Sequence, residues 1–293
     1  VSKIVRFSGE TISSLESLPL NDMIDKLLVD IIRNEVPTDN VGILLSGGVD
    51  SLSLGFAAHR LGKKITAYTF HLEGDKSYDA CKAEEVSKEF GWECNTVVVP
   101  TKNLRDDFIR LVRDYDCRKK THFECTFPFL YVFPQIKESY LLSGIGADGY
   151  YGVSKKAILH FKEPKEKFDQ FRRNYFMPHN VTGFRQIEQL SNERNIKLVH
   201  PYIYHDIVKE YFFRYNWFEL NQPKQKQKVR DAFEEEFARV SNVKDHINLQ
   251  LGSNIDHLFE NLLKDKMLNN RKRKRVMDLA SDYASTGQSI LPL

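Results

Sequence analysis

Two serines, two adjacent glycines and an aspartate fall within six positions of this 293-residue chain: Ser46-Gly47-Gly48-Val49-Asp50-Ser51. Glycine has no Cβ, so the backbone at 47 and 48 is free to bend sharply and approach a ligand, with successive N–H groups turned into one concavity. The Ser46 and Ser51 hydroxyls add hydrogen-bonding groups. The apolar run Val41 to Leu45 before them reads as a strand, and Leu52, Leu54, Ala57 and Ala58 after them read as a helix, whose positive dipole end also faces the turn. A strand, a glycine turn and a helix start with these side chains suit an anion, above all a phosphate. No G-x-x-x-x-G-K-[ST] pattern is present and no lysine follows the glycines, so the turn is not a Walker A loop.

A second loop repeats the design. Ser143-Gly144-Ile145-Gly146-Ala147-Asp148-Gly149 follows a strand expected over 139–143, again with serine, glycines and one acidic residue. Two such loops on one sheet would hold a nucleoside triphosphate between them, with Asp50 and Asp148 as hard oxygen ligands for Mg²⁺. The other chemical candidates are weaker. Lys224, Lys226 and Lys228 read by themselves as a solvent-facing helix start. None of the nine histidines falls in H-x-x-x-H or H-E-x-x-H spacing. His71, at a strand end, would lie near an adenine or, as the favoured reading, serve a surface or packing role. The four cysteines lack C-x-x-C spacing, which argues against structural zinc or an iron–sulfur site; Cys117 and Cys125 flank a basic segment and are either reactive or without a role.

The elements that must position these loops follow from periodicity. Residues 1–20 form a lead-in with a short edge strand over Val1 to Ser8. Met23, Ile24, Leu27, Leu28, Ile31 and Ile32 recur at helical spacing behind Asn21 as N-cap. Strands are expected over Ile65 to His71 and Asn95 to Val99, with helices over Ser77 to Phe90 and Leu104 to Tyr115. Strand and helix alternate to about residue 145, the pattern of a parallel sheet with helices on both faces. The first domain is therefore set at 21–154. Residues 155–293 read as a mostly helical C-terminal lobe completing the site, with helices over Gly183 to Arg194, His205 to Tyr215, Lys226 to Val240, Asn254 to Asn269 and Val276 to Tyr283.

Charged residues at 28% and apolar ones at 41% describe an ordinary globular chain able to bury a core without staples. The net charge of +3 is too small to imply a nucleic-acid partner, although Arg271 to Arg275 concentrates five positive charges and reads mainly as a solvated face. With no signal peptide and no long apolar segment, a cytoplasmic location with reduced thiols is expected and no membrane partner. The chain opens on Val1, so its start is read as trimmed.

The SGGVDS turn resembles the PP-loop of the ATP pyrophosphatase group, whose members cut ATP between its α and β phosphates. SGIGADGYYG is similar to the S-G-x-G-[SA]-D loop of the asparagine synthetase C-terminal domain and of β-lactam synthetase. Leu198 to Ile203 resembles the family's R-V-P-F-L segment, followed by Asp206, and Lys226 to Arg230 resembles its K-x-x-L-R motif. The resemblance spans about Asn21 to Phe233. It implies an adenine nucleotide α-hydrolase-like α/β fold and an ATP-dependent ligase that adenylates a carboxylate or amide oxygen and joins it to ammonia or an amine. The cofactors it implies are ATP and Mg²⁺. Carried over, Ser46, Gly47, Gly48, Val49, Asp50, Ser51, Gly144 and Gly146 hold ATP and its pyrophosphate, Asp50 and Asp148 hold the metal, and Lys226 acts on the phosphates with Arg230 in support. Ile145 departs from the pattern, because asparagine synthetase has a glutamate there and β-lactam synthetase a tyrosine. A glutaminase-like part ahead of the synthetase part is not expected on this reading, so glutamine-derived ammonia would come from a separate amidotransferase subunit, with a free amine as an equal expectation. Two alternatives stay open: a PP-loop enzyme that modifies a nucleobase or nucleic acid, and a non-catalytic nucleotide-binding regulator, which Ile145 favours.

Overall fold

A five-stranded parallel sheet carries the molecule, and its strands alternate residues between two buried faces. The computed structural model describes residues 23–245, 248–255 and 258. In chain order the first elements are α1 (Met23–Glu35), β1 (Asn40–Leu44), α2 (Val49–Arg60), β2 (Lys64–Leu72), α3 (Tyr78–Phe90) and β3 (Glu93–Val99). Then come α4 (Leu104–Tyr115), α5 (Lys120–Thr126), α6 (Phe129–Val132), β4 (Tyr140–Leu142), α7 (Ala147–Tyr151), α8 (Lys165–Tyr175) and α9 (Phe184–Asn192). The last are β5 (Lys197–Val199), α10 (Pro201–Tyr204), α11 (Asp206–Phe213), α12 (Trp217–Asn221), α13 (Gln227–Ala232), α14 (Glu234–Ala238) and α15 (Leu249–Gly252).

The strand order is β3-β2-β1-β4-β5. The chain winds outward from β1 to β3, then returns to place β4 on the other side of β1. This reversal lies between β1 and β4, where Ile43 pairs with Leu142. Both glycine loops therefore leave adjacent strand ends at the switch point, the crevice where open parallel sheets bind ligands.

On one face Val41, Ile43, Leu45, Ile65, Ala67 and Leu142 pack with α1 and α2; on the other, Tyr68, Phe70, Leu72, Val97 and Leu141 pack with α4, α5 and α6. The later chain joins the first of these cores through Phe168, Tyr211, Phe212, Val229 and Phe233. Arg60 at the end of α2 fastens it: its guanidinium bonds Asp25 of α1 and Glu236 of α14 and lies over the Phe233 ring.

Two expectations change. The stretch Lys226 to Val240 is not one helix but α13 and α14, broken at Phe233, and Lys226 stands outside α13 as its N-cap in a left-handed conformation. Residues 197–199, read only as a motif, form the edge strand β5 paired with β4. Within the expected helical lobe, residues 155–174, for which the sequence singles out no element, contain the start of α8, which buries Phe168 and Arg172. The edge strand over 1–8, the Asn21 cap, the basic run 271–275, the helix over 276–283 and most of that over 254–269 lie outside the described residues. Among the described residues no helix is long and apolar enough to cross a membrane.

His200, directly after β5, is 1% exposed and packs between Phe184 and Tyr204. Burial pushes its pKa down to about 4. Above the unfolded value of about 6.5 both states are neutral; as pH falls from there towards 4, the unfolded chain takes a proton that the folded chain refuses, so stability is lost. From pH 7.5 to 5 this group should remove about 2 kcal/mol. Urea unfolding of His200→Phe, which keeps the ring packing, should show an acid loss smaller by that amount than wild type; equal losses would acquit His200.

Candidate functional site

Both glycine loops line one cavity of about 510 Å³ above the β1 and β4 ends, together with Lys226 and Arg230. The first loop is shaped from within. Gly47 has φ +70°, and a Cβ there would come 2.6 Å from Lys82 Cβ, so the stem of Lys82 fills the space beneath it. Ser51 Oγ donates to the Gly48 carbonyl at 3.1 Å and accepts from the Ser46 amide at 3.3 Å. The Gly48 amide donates to Ser46 Oγ at 3.4 Å. Gly48 caps α2 in an extended conformation, and Val49, the first residue of α2, is buried behind the turn. Asp50, in the first turn of α2, faces the cavity.

The second loop packs directly on the first. A Cβ at Gly144 would meet Asp50 Cβ at 2.9 Å and the Ser51 amide at 3.0 Å, so only glycine allows this approach. Gly146, at φ +89°, caps α7, and a side chain there would strike Ile203 of α10. Ile145 is held by its own amide on Ser143 Oγ and sends an apolar side chain to the cavity wall.

Lys226 closes the site. Its Nζ donates to Asp50 Oδ2 and to Asp148 Oδ1, each at 2.6 Å. The residue is 4% exposed, which reverses the reading of three solvated lysines: Lys224 is exposed, whereas the left-handed backbone at 226 turns this side chain inward. Burial alone would lower the ammonium's pKa, but the carboxylates of Asp148 and Asp50 outweigh it and hold the group above the ordinary lysine value. The Tyr151 ring lies 5.2 Å from the same nitrogen.

Arg230 lines the cavity, but its guanidinium donates to the carbonyls of Gln225, Val243 and Lys244. It thereby fixes the cavity wall at 243–245, where the Lys244 ammonium covers the Tyr78 ring at 3.8 Å. Burial pushes the pKa of Arg230 down. His71 does not line the cavity; its Nδ1 bonds the Leu72 carbonyl, a packing role. Burial pushes the Cys117 and Cys125 thiols up to about 12, which removes the thiolate that reactivity needs.

Sequence reasoning passed over four residues here. Lys82 supports Gly47, and its ammonium bonds Glu85 and the Ser241 carbonyl. Asp79 lines the cavity with a carboxyl that burial raises to about 7 against the pull of Lys244. Asn221 and Tyr151 back Lys226. Lys82, Asp79 and Asn221 belong to no spaced motif, and Tyr151 follows the matched S-G-x-G-[SA]-D positions; the Ser77 cap, which accepts from the Ala80 amide, is the one local signal that fixes where Asp79 falls on α3.

The asparagine synthase family model matches residues 23–277, a span containing both glycine loops and Lys226. The chain belongs to the asparagine synthase family. Membership makes it a PP-loop enzyme that uses ATP. Among solved structures it is similar to NMN synthetase from Francisella tularensis, at 14% identity over 94% of this chain and 96% of that one, TM-score 0.33. It is also similar to a predicted subunit of tRNA methyltransferase from Methanocaldococcus jannaschii, at 14% identity over 68% and 88% of the two chains, TM-score 0.30. A comparison with curated proteins gives no match.

Gly144→Ala should separate the two loops. A loss of about 1–3 kcal/mol in stability is expected from the overpacking, together with a fall of about tenfold in ATP affinity. Calorimetric titration with ATP beside thermal melting checks this, and unaltered affinity would show that the loops need not touch.

Proposed function

We propose that this family member is an ATP-dependent ligase that forms amide or other C–N bonds. A substrate carboxylate, or an amide oxygen, attacks the α-phosphorus of ATP. The bond from that phosphorus to the bridging oxygen breaks, and pyrophosphate leaves with the electron pair. Ammonia or an amine then adds to the activated carbon, AMP departs, and the nitrogen loses a proton.

The observation that carries this reading is the convergence of one aspartate from each glycine loop on a single buried cation, the Lys226 ammonium. Ser46, Gly47, Gly48, Val49 and Ser51, with Gly144 and Gly146, form the cradle for the pyrophosphate. Lys226 stands beside it to offset the charge that develops as the bond breaks, a contribution strongest where water is excluded. Arg230 acts from behind by fixing the 243–245 wall.

Two carboxylate oxygens already gathered around one positive charge are also the donor set that Mg²⁺ accepts when phosphate oxygens complete its shell. The residues present therefore fit the ion, and Asp50 and Asp148 would hold it. When bound, it would neutralise phosphate charge and orient the leaving group. The oxygens that would hold it are the ones on which the Lys226 ammonium stands, so the two cations would exclude one another there. With the ion held there, the Lys226 ammonium would be free to offset charge on the phosphates instead.

Two measurements test this. With ATP, Mg²⁺ and pooled acids and amines, AMP and pyrophosphate should accumulate; ADP and phosphate would defeat the proposal, and no turnover with any pool would favour a nucleotide-binding regulator. In the absence of nucleotide, Mn²⁺ titration followed by electron paramagnetic resonance should show Lys226→Met binding the ion about tenfold or more tightly than wild type. Equal affinities would remove Asp50 and Asp148 as the ion's site.

A further inference from the structure

We infer that Asn221 is a positioning residue for Lys226, and that through it the second glycine loop sets where the ammonium stands. The inference rests on the reading of Lys226 as the group that meets the leaving pyrophosphate. Asn221 is the last residue of α12, 4% exposed, and touches no part of the cavity. Its Oδ1 accepts from the Lys226 amide at 3.1 Å, while its Nδ2 donates to the Tyr151 carbonyl at 2.9 Å and to the Trp217 carbonyl at 3.0 Å. One side-chain amide therefore ties the end of α7, three residues beyond Asp148, to the backbone of the lysine.

The bond to Lys226 matters because of its backbone. At φ +62° a residue with a side chain adopts a conformation it rarely takes unaided, and the surroundings must hold it there. The following helix takes up the Lys226 carbonyl, from the amides of Val229 and Arg230. Asn221 takes up the amide on the other side. With both ends fixed, the side chain leaves the backbone towards Asp50 and Asp148. An ordinary helical conformation at 226 would aim it elsewhere, as the exposure of Lys224 illustrates.

α12 is clamped to the same loop a second time, since Trp217 Nε1 donates to the Gly152 carbonyl at 2.9 Å. This second clamp gives a control: it anchors the same helix to the same segment without touching Lys226. A role confined to stability would make the two contacts equivalent, whereas positioning makes only the Asn221 contact matter to the ligand.

Inorganic pyrophosphate with saturating Mg²⁺ is the probe, because it carries the full charge of the leaving group and needs no knowledge of the acceptor. Calorimetry should show Asn221→Ser weakening pyrophosphate by roughly tenfold or more in the native background and by less than about threefold in Lys226→Met. Trp217→Phe should stay within about threefold of wild type even where it lowers the melting temperature. Should Asn221→Ser fail to fold, Asn221→Gln, which keeps the amide but shifts it by one methylene, carries the same comparison. Equal weakening in both backgrounds, or none in the native one, overturns the inference. A wild-type protein that binds neither pyrophosphate nor ATP overturns the proposed function and this inference with it; intact wild-type binding with an additive cycle overturns this inference alone.

Discussion

A single ammonium group between two carboxylates is the contact on which the site's architecture turns. Asp50 and Asp148 are like charges brought close by loops that themselves touch, and without a cation between them they would repel or take up a proton. Lys226 resolves this at the cost of being buried, which is tolerable because both partners are within hydrogen-bonding distance and an aromatic face lies behind. Much of the surrounding structure can be understood as support for that arrangement. The switch point aligns the two strand ends, glycine at 144 lets the loops meet, and Arg60 with Glu236 and Asp25 draws the helices after Lys226 onto α1 and α2.

The loops were legible in the sequence because their chemistry is local. A strand, a glycine turn and a helix start occupy consecutive positions, and the backbone geometry they impose needs no distant partner. The same held for α3 and α4, whose apolar spacing and end signals agree with the observed ends to within a residue. Lys226 was legible only through family resemblance. Its inward direction depends on a left-handed backbone that nothing in Lys224-Gln225-Lys226 encodes, so alternating lysines read as solvated. β5 is three residues long, too short for periodicity, and owes its existence to pairing with β4. α8 was hidden by its charges, one of which, Arg172, is buried against the rings of Phe168 and Phe213 and paired with Asp169.

Arg230 shows how a motif and a structure can assign a residue different work. Its spacing from Lys226 invites a direct phosphate contact, yet three backbone carbonyls claim its guanidinium. Together with Lys82 on the Ser241 carbonyl and the Tyr78 hydroxyl on the Asn242 carbonyl, it holds residues 241–245 across the start of α3. The wall so formed brings Lys244 beside Asp79, a carboxyl whose pKa burial pushes up to about 7 within the same cavity. Ile145 carries no titratable group, and Asp79 adds to the cavity an ionisable carboxyl that neither glycine loop contains.

The ammonium's two partners lie 176 and 78 residues before it in the chain. During synthesis at roughly 5–20 residues per second, the stretch from Asp148 to Lys226 takes about 4 to 16 seconds to make. Through that interval both loops exist but the charge that reconciles them does not. The two loops therefore stay unreconciled until residue 226 has been made, and a nascent chain halted short of it would carry two glycine loops whose acids still oppose one another.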